Sequence, residues 1–254
     1  MKDFTYSKYL DLLLALKQGG YQFQTLCQFL EHPAERSVML RHDVDDRRFH
    51  SLKFARLQKE HGAVGTYYFR MVPQSFDPIV MREIQSMGHE VGYHYEDMDF
   101  AQGNVDAAYF LFQKHLRQMR EVVDVKTICM HGSPKSQYDN KDVWKKYRYQ
   151  DNGIMGEPYF DLNYNEVFYI TDTGRRWDGF KVSVRDKVQS NKGYPVYHST
   201  DEIIEAIRLG VFPQQVMMNF HPQRWMDPGI NWWKEKWIQS IKNQVKYWLI
   251  RWRQ

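Results

Sequence analysis

Cysteine is almost absent. Cys27 and Cys129 are the only two, about a hundred residues apart and without Cys-x-x-Cys spacing, so neither a disulfide framework nor a thiolate metal site is expected, and both read as small buried hydrophobes. Long apolar runs are missing too. The longest purely aliphatic stretch is Leu12 to Leu16, far short of the roughly 18 to 20 residues a membrane-spanning helix needs. Asp3 and Asp11 break up the first dozen residues and no small-residue cleavage site follows, so no secretory signal is expected and the chain is placed in the cytoplasm. There is no Pro/Gly/Ser-rich linker, low-complexity tract or internal repeat, and 254 residues without a linker read as one domain, 1–254.

What is present is ordinary globular composition, with 43% hydrophobic and 26% charged residues. The formal charge of +4 is unevenly placed. Residues 231–254 hold Lys234, Lys236, Lys242, Lys246, Arg251 and Arg253 against Glu235 alone, and the remaining body is close to neutral. One basic tail on a neutral body does not make a nucleic-acid interface, which needs a broad basic face or a recognised module.

Helical and strand patterns alternate from end to end, which predicts an α/β fold. Helices are expected over 4–18, to about Glu60 after Asp46, over 77–87, 104–121, 201–209 and 231–252; strands are expected at Ser37 to Leu40, Val64 to Met71, His89 to His94, Val125 to Met130, near Ile154, Val167 to Ile170 and Gln215 to Phe220. Polar clusters recur where successive strands end. In parallel α/β proteins that end assembles active sites, because the strand-to-helix loops converge there on a rigid frame.

Asp43-Val44-Asp45 places two carboxylates at i, i+2, on one side of an extended segment, which suits a shared cation or a general base; a helix cap is the plainer reading. In Gly88 to Glu96, alternation puts Glu90, Gly92 and His94 on one side and His89, Val91 and Tyr93 on the other, so His89 and His94 should not share a role. Imidazole beside carboxylates is an ordinary ligand set for zinc. His131-Gly132-Ser133-Pro134 and Asn219-Phe220-His221-Pro222 repeat a strand-end histidine, each either a ligand or proton donor or a structural turn. Asp172 to Trp177 combines a turn with Arg175, Arg176 and the Trp177 plane, and Arg224-Trp225 repeats the Arg/Trp pairing; a sugar grip and a pinned loop both fit. Trp233, Trp237, Ile241, Val245, Trp248 and Trp252 form a helical stripe, read first as core packing and otherwise as a contact with an anionic membrane surface.

Together these residues resemble the NodB-homology polysaccharide deacetylases, carbohydrate esterase family 4, over roughly Val38 to Pro222, most closely in Gly88 to His94. The resemblance implies an irregular (β/α)7-type barrel, a divalent metal, zinc first, and hydrolysis of acetyl groups on sugars. It implies Asp43 as general base, Asp45 and His94 as metal ligands, Asp172 to Trp177 along the acetyl pocket, and His221 as general acid. Two departures stand out. Val44 separates two aspartates that the family has adjacent, and Tyr95-Glu96-Asp97-Met98-Asp99 stands where the second metal histidine would follow His94. His131, Glu96 or Asp97 could supply a third ligand. The expectation is a deacetylase of an N-acetylated sugar, sugar nucleotide or lipid-linked, in surface-polysaccharide (O-antigen) precursor synthesis, with Arg175, Trp177, Asp172 and Trp225 binding substrate. The alternatives are a metal-independent amidohydrolase or non-catalytic carbohydrate binder, and a glycosyltransferase in which Asp43 and Asp45 chelate manganese and a nucleotide diphosphate.

Overall fold

The computed structural model describes residues 2–133, 136–178, 188–190 and 192–252, with side chains of the last helix described up to residue 244. Pro134, Val245, Lys246, Trp248, Arg251, Trp252 and Arg253, named above, fall outside the described side chains. A seven-stranded sheet forms the centre: β1 Gln22–Gln24, β2 Ser37–Val44, β3 Thr66–Phe69, β4 Glu90–Tyr95, β5 Ile128–Met130, β6 Phe168–Thr171 and β7 Gln215–Phe220. All pairings are parallel, in the order β5-β4-β3-β2-β7-β6, and the sheet curls into a half-barrel. β2 is the hub. Along one edge its first half pairs with β1 and its second half with β3, while β7 pairs with the opposite edge from Ser37 to His42.

Parallel strands covered on both faces read as nearly continuous buried runs, and all eight residues of β2 are buried. Outward-facing Val38, Leu40 and Val44 join the large core with Val91, Tyr93, Met218 and Phe220. Helices α1 Tyr6–Gln18, α3 Arg48–Glu60, α4 Pro78–Ser86, α6 Val105–Arg120 and α8 Thr200–Arg208 cover that side. Inward-facing Met39, Tyr68, Cys129 and Met217 form a smaller cluster closed by Leu26 and Phe29 of α2 Leu26–Glu31 and by Leu162 and Tyr164. Short α5 Asp97–Phe100 and α7 Pro158–Asp161 lie in the loops, and α9 Ile230–Trp252 ends the described chain.

Local chemistry sets the helix starts. Thr5 caps α1, Thr25 and Gln28 form a reciprocal capping box on α2, and Asp77 caps α4 with Pro78 at its first position. α1 stops at Gly19-Gly20, where Gly20 takes φ +75°. The β1/α2 unit escaped the sequence reading because both elements are short, and Ile154 lies in no strand: among the described residues the pairing nearby is a single bridge between Thr127 and Gly156.

The last helix corrects the expectation of a packed tryptophan stripe. Trp232 and Gln239 face the body, while Trp233 and Trp237 are 46% and 69% exposed and Ile241 60%. A 3.6-residue period identifies a face but not what it faces. Among the described residues, no helix is long and apolar enough to cross a membrane.

Candidate metal centre

The inner faces of four strands end in polar side chains at or just beyond their carboxyl ends. Met39 is followed on the same side of β2 by Arg41 and Asp43, with Asp45 next in phase; Gly92 leads to His94, Cys129 to His131, and Met217 to Asn219 and His221. Gly92 is required for this approach. A Cβ there would lie 2.5 Å from the Tyr68 ring and 2.7 Å from the Thr127 carbonyl.

Three imidazoles converge on one carboxylate. His94 Nε2 lies 3.5 Å and His131 Nε2 3.7 Å from Asp45 Oδ1, and His221 Nε2 lies 3.9 Å from Asp45 Oδ2. Each ring is fixed from behind through Nδ1. His94 donates to the Cys129 carbonyl at 2.8 Å, His131 to Glu96 Oε2 at 2.9 Å and His221 to Asp172 Oδ1 at 2.6 Å. A neutral ring that donates from Nδ1 presents a lone pair at Nε2. His94 and His131 therefore aim lone pairs at an oxygen that is buried and receives no hydrogen bond from the described residues. In the neutral form of the rings these are acceptors facing acceptors, an arrangement that a cation between them satisfies.

The set fits zinc or a similar divalent ion. Tetrahedral zinc, with bonds of about 2.0–2.2 Å, separates neighbouring donor atoms by roughly 3.3 Å, close to the distances between Asp45 and the two histidines. Among the described residues, the group whose donor atoms all lie within 4.8 Å of one another is Asp43, His94 and Cys129. The Asp43 oxygens are already committed, however. Arg41 Nε and Nη2 donate to them at 2.8 and 2.7 Å, and Asn219 Nδ2 donates to Oδ2 at 3.0 Å. Asp45 Oδ1 carries no such commitment among the described residues, and the commitment of Asp43 argues against Asp43 and Asp45 jointly chelating a metal diphosphate.

The charges are consistent with this division. Burial opposes ionisation of Asp43, yet Arg41 first and then His94 bring its pKa down to about 2. Burial likewise opposes ionisation of Asp45, and with the rings protonated a hydrogen bond from His94 and the charges of His131 and His221 hold it well below the usual carboxylate range, a role that a bound cation would take over from neutral rings. Glu96 is lowered despite its burial by His131 and by Arg70, whose guanidinium grips it at 2.9 and 2.7 Å. Glu96 therefore orients His131 rather than supplying a ligand. Asp97 turns away to Tyr93 and His115.

The residues expected to grip a sugar lie elsewhere. Asp172 is fully buried and accepts from the His221 ring and backbone N–H, from Arg224 and from Trp225 Nε1, so it positions His221. Trp225 and Trp177 are buried against Phe4 and Phe220, with Trp177 Nε1 donating to Thr200 at 2.8 Å. Arg175 lies over Trp232 and donates to its carbonyl at 3.2 Å, on the side of α9. Aromatic planes in the sequence suggested sugar stacking; burial uses them as core. Arg41 and Arg70 were missed as site residues, and the sequence carried a signal only for Arg41, two residues before Asp43 on a strand.

No family model matches the chain, and no curated protein matches it. Among solved structures, a pseudoenzyme of carbohydrate esterase family 4 from Bacillus anthracis and its mutant with restored enzymatic activity are each 13% identical at a TM-score of 0.45. The match covers 85% of this chain but only 63% and 65% of theirs, less than two-thirds of their length. The family 4 domain of a multidomain xylanase from the hindgut metagenome of Trinervitermes trinervoides is 14% identical, with a TM-score of 0.36, over 83% of this chain and 85% of that one. At this distance the case for the site rests on the chain's own side chains.

Proposed function

We propose that the chain is a metal-dependent hydrolase that removes an acetyl group from an N-acetylated sugar, a sugar nucleotide or lipid-linked precursor of a surface polysaccharide, in the cytoplasm. The convergence of three Nδ1-anchored histidines on the Asp45 carboxylate carries this reading. Asp45, His94 and His131 would hold the ion. A divalent ion there would polarise the acetyl carbonyl and make water more acidic.

Asp43, kept ionised by Arg41, accepts a proton from the attacking water. As the carbonyl carbon gains the water oxygen and the C–N bond breaks, the leaving nitrogen needs a proton. His221 supplies it from Nε2, and Asp172, ionised and bonded to Nδ1, stabilises the imidazolium beforehand. The products are acetate and the free amine. The test is acetate release from N-acetylated sugar nucleotides and lipid-linked sugars with zinc added. Acetate that disappears in Asp43→Asn supports the reading, and none from a broad panel with metal bound overturns it.

A further inference from the structure

Helix α9 carries two opposed faces. At about 100° per residue, Ile230, Trp233, Trp237 and Ile241 fall on one side, while Trp232, Gln239 and Asn243 fall on the other. The second face is tied down: Trp232 Nε1 donates to the Asp3 carbonyl at 3.1 Å and Asn243 Nδ2 to the Gly174 carbonyl at 2.8 Å. Arg47, two residues beyond Asp45, pairs with Glu235 at 3.4 Å and links α9 to the loop at the mouth of the metal centre. The first face is bare, with Ile230 88% exposed and Trp237 69%.

The charges around that face have one sign. Lys234 borders it on one side and Lys236 on the other, both exposed, and the only acid of the helix, Glu235, is turned to Arg47. A second copy of the chain laid symmetrically against this face would bring lysines to lysines. An anionic surface that accepts apolar side chains between its charges matches both features. We propose that α9 lies along an anionic lipid surface, with Ile230, Trp233, Trp237 and Ile241 entering the headgroup boundary and the mouth of the metal centre held beside it. The inference is independent of the chemistry at that centre.

The test is co-sedimentation of the full chain with vesicles of phosphatidylglycerol and phosphatidylcholine, and with phosphatidylcholine alone, followed also by tryptophan emission. Binding is expected to the anionic vesicles, weakening as salt rises, with a blue-shifted emission. Trp237→Glu with Ile241→Glu should weaken it by roughly tenfold or more, leaving thermal unfolding and metal stoichiometry as in the parent. Lys234→Gln with Lys236→Gln, which spares the apolar face, should weaken binding to anionic vesicles only. No sedimentation at low salt, sedimentation unchanged in both double variants, or a dimer abolished by Trp237→Glu without vesicle binding would each overturn the proposal.

Discussion

Arg41 and Asp43, two residues apart on β2, form a bidentate buried pair at 2.8 and 2.7 Å. The pair sets the charge of the site from within a single strand. Removing one partner leaves the other buried and uncompensated, so Arg41→Met should destabilise the fold by about 3–5 kcal/mol. Arg41→Met with Asp43→Leu should recover much of that stability without activity. Urea unfolding of the single and double variants checks the direction; a double variant no more stable than the single would contradict it.

Metal content follows from the convergence on Asp45. About one divalent ion per chain is expected by mass spectrometry of untagged protein, abolished by His94→Ala or Asp45→Ala. Glu96→Gln keeps the ligands but loosens the hold on His131, and should cost about 10–100-fold in zinc affinity. Unchanged affinity in Glu96→Gln would remove Glu96 from the centre.

His221 and Asp172 should separate catalysis from metal binding. Asp172→Asn weakens support for the imidazolium, so turnover should fall by roughly 10²–10⁴ while zinc stoichiometry stays at the parent level. Loss of zinc with turnover would instead make Asp172 part of the metal site's framework.

Trp177 distinguishes packing from substrate grip. Trp177→Ala should cost about 3–5 kcal/mol of stability through the cavity it leaves, whereas Trp177→Phe should keep KM near the parent value. A large rise in KM for the Phe variant at unchanged stability would return Trp177 to the substrate.

Acid should destabilise the fold through two buried neutral histidines. Burial lowers His89 to about 4 and His42 to about 3, from an ordinary 6.5. A depressed folded pKa means that the unfolded chain takes up protons first. This contribution is therefore complete above pH 6.5 and is lost as pH falls through 4 and 3. His89 meets Ala55 and Gly65 with one donor and one acceptor, a pattern only the neutral ring satisfies. Urea stability at descending pH should show a shallower fall in His89→Phe than in the parent, from a lower starting value.

Much of this site was legible because strands have a period of two. Alternation alone separates His89 from His94, and the structure puts them on opposite faces of β4. It also aligns Asp43 with Asp45 and Asn219 with His221. Sheet order is not written in that period, so the meeting of Asp45 with histidines from three other strands could only be suspected. The roles of Trp177, Trp225 and Asp172 were misread for a related reason. A large aromatic beside a carboxylate looks the same in sequence whether it lines a cleft or seals a core. α9 posed the same ambiguity at larger scale, since its stripe has helical spacing in either setting.

The position of β7 has a consequence for how the molecule is made. It is the last strand in the chain, yet it lies beside β2 near the middle of the sheet. During synthesis β2 therefore has one open edge until residue 220 emerges, and its buried stretch from Ser37 to His42 stays unpaired along that side. Chain-end truncations that remove β7 should aggregate rather than lose activity gradually, because the strand bearing the buried Arg41–Asp43 pair is also the one whose backbone waits longest for its neighbour.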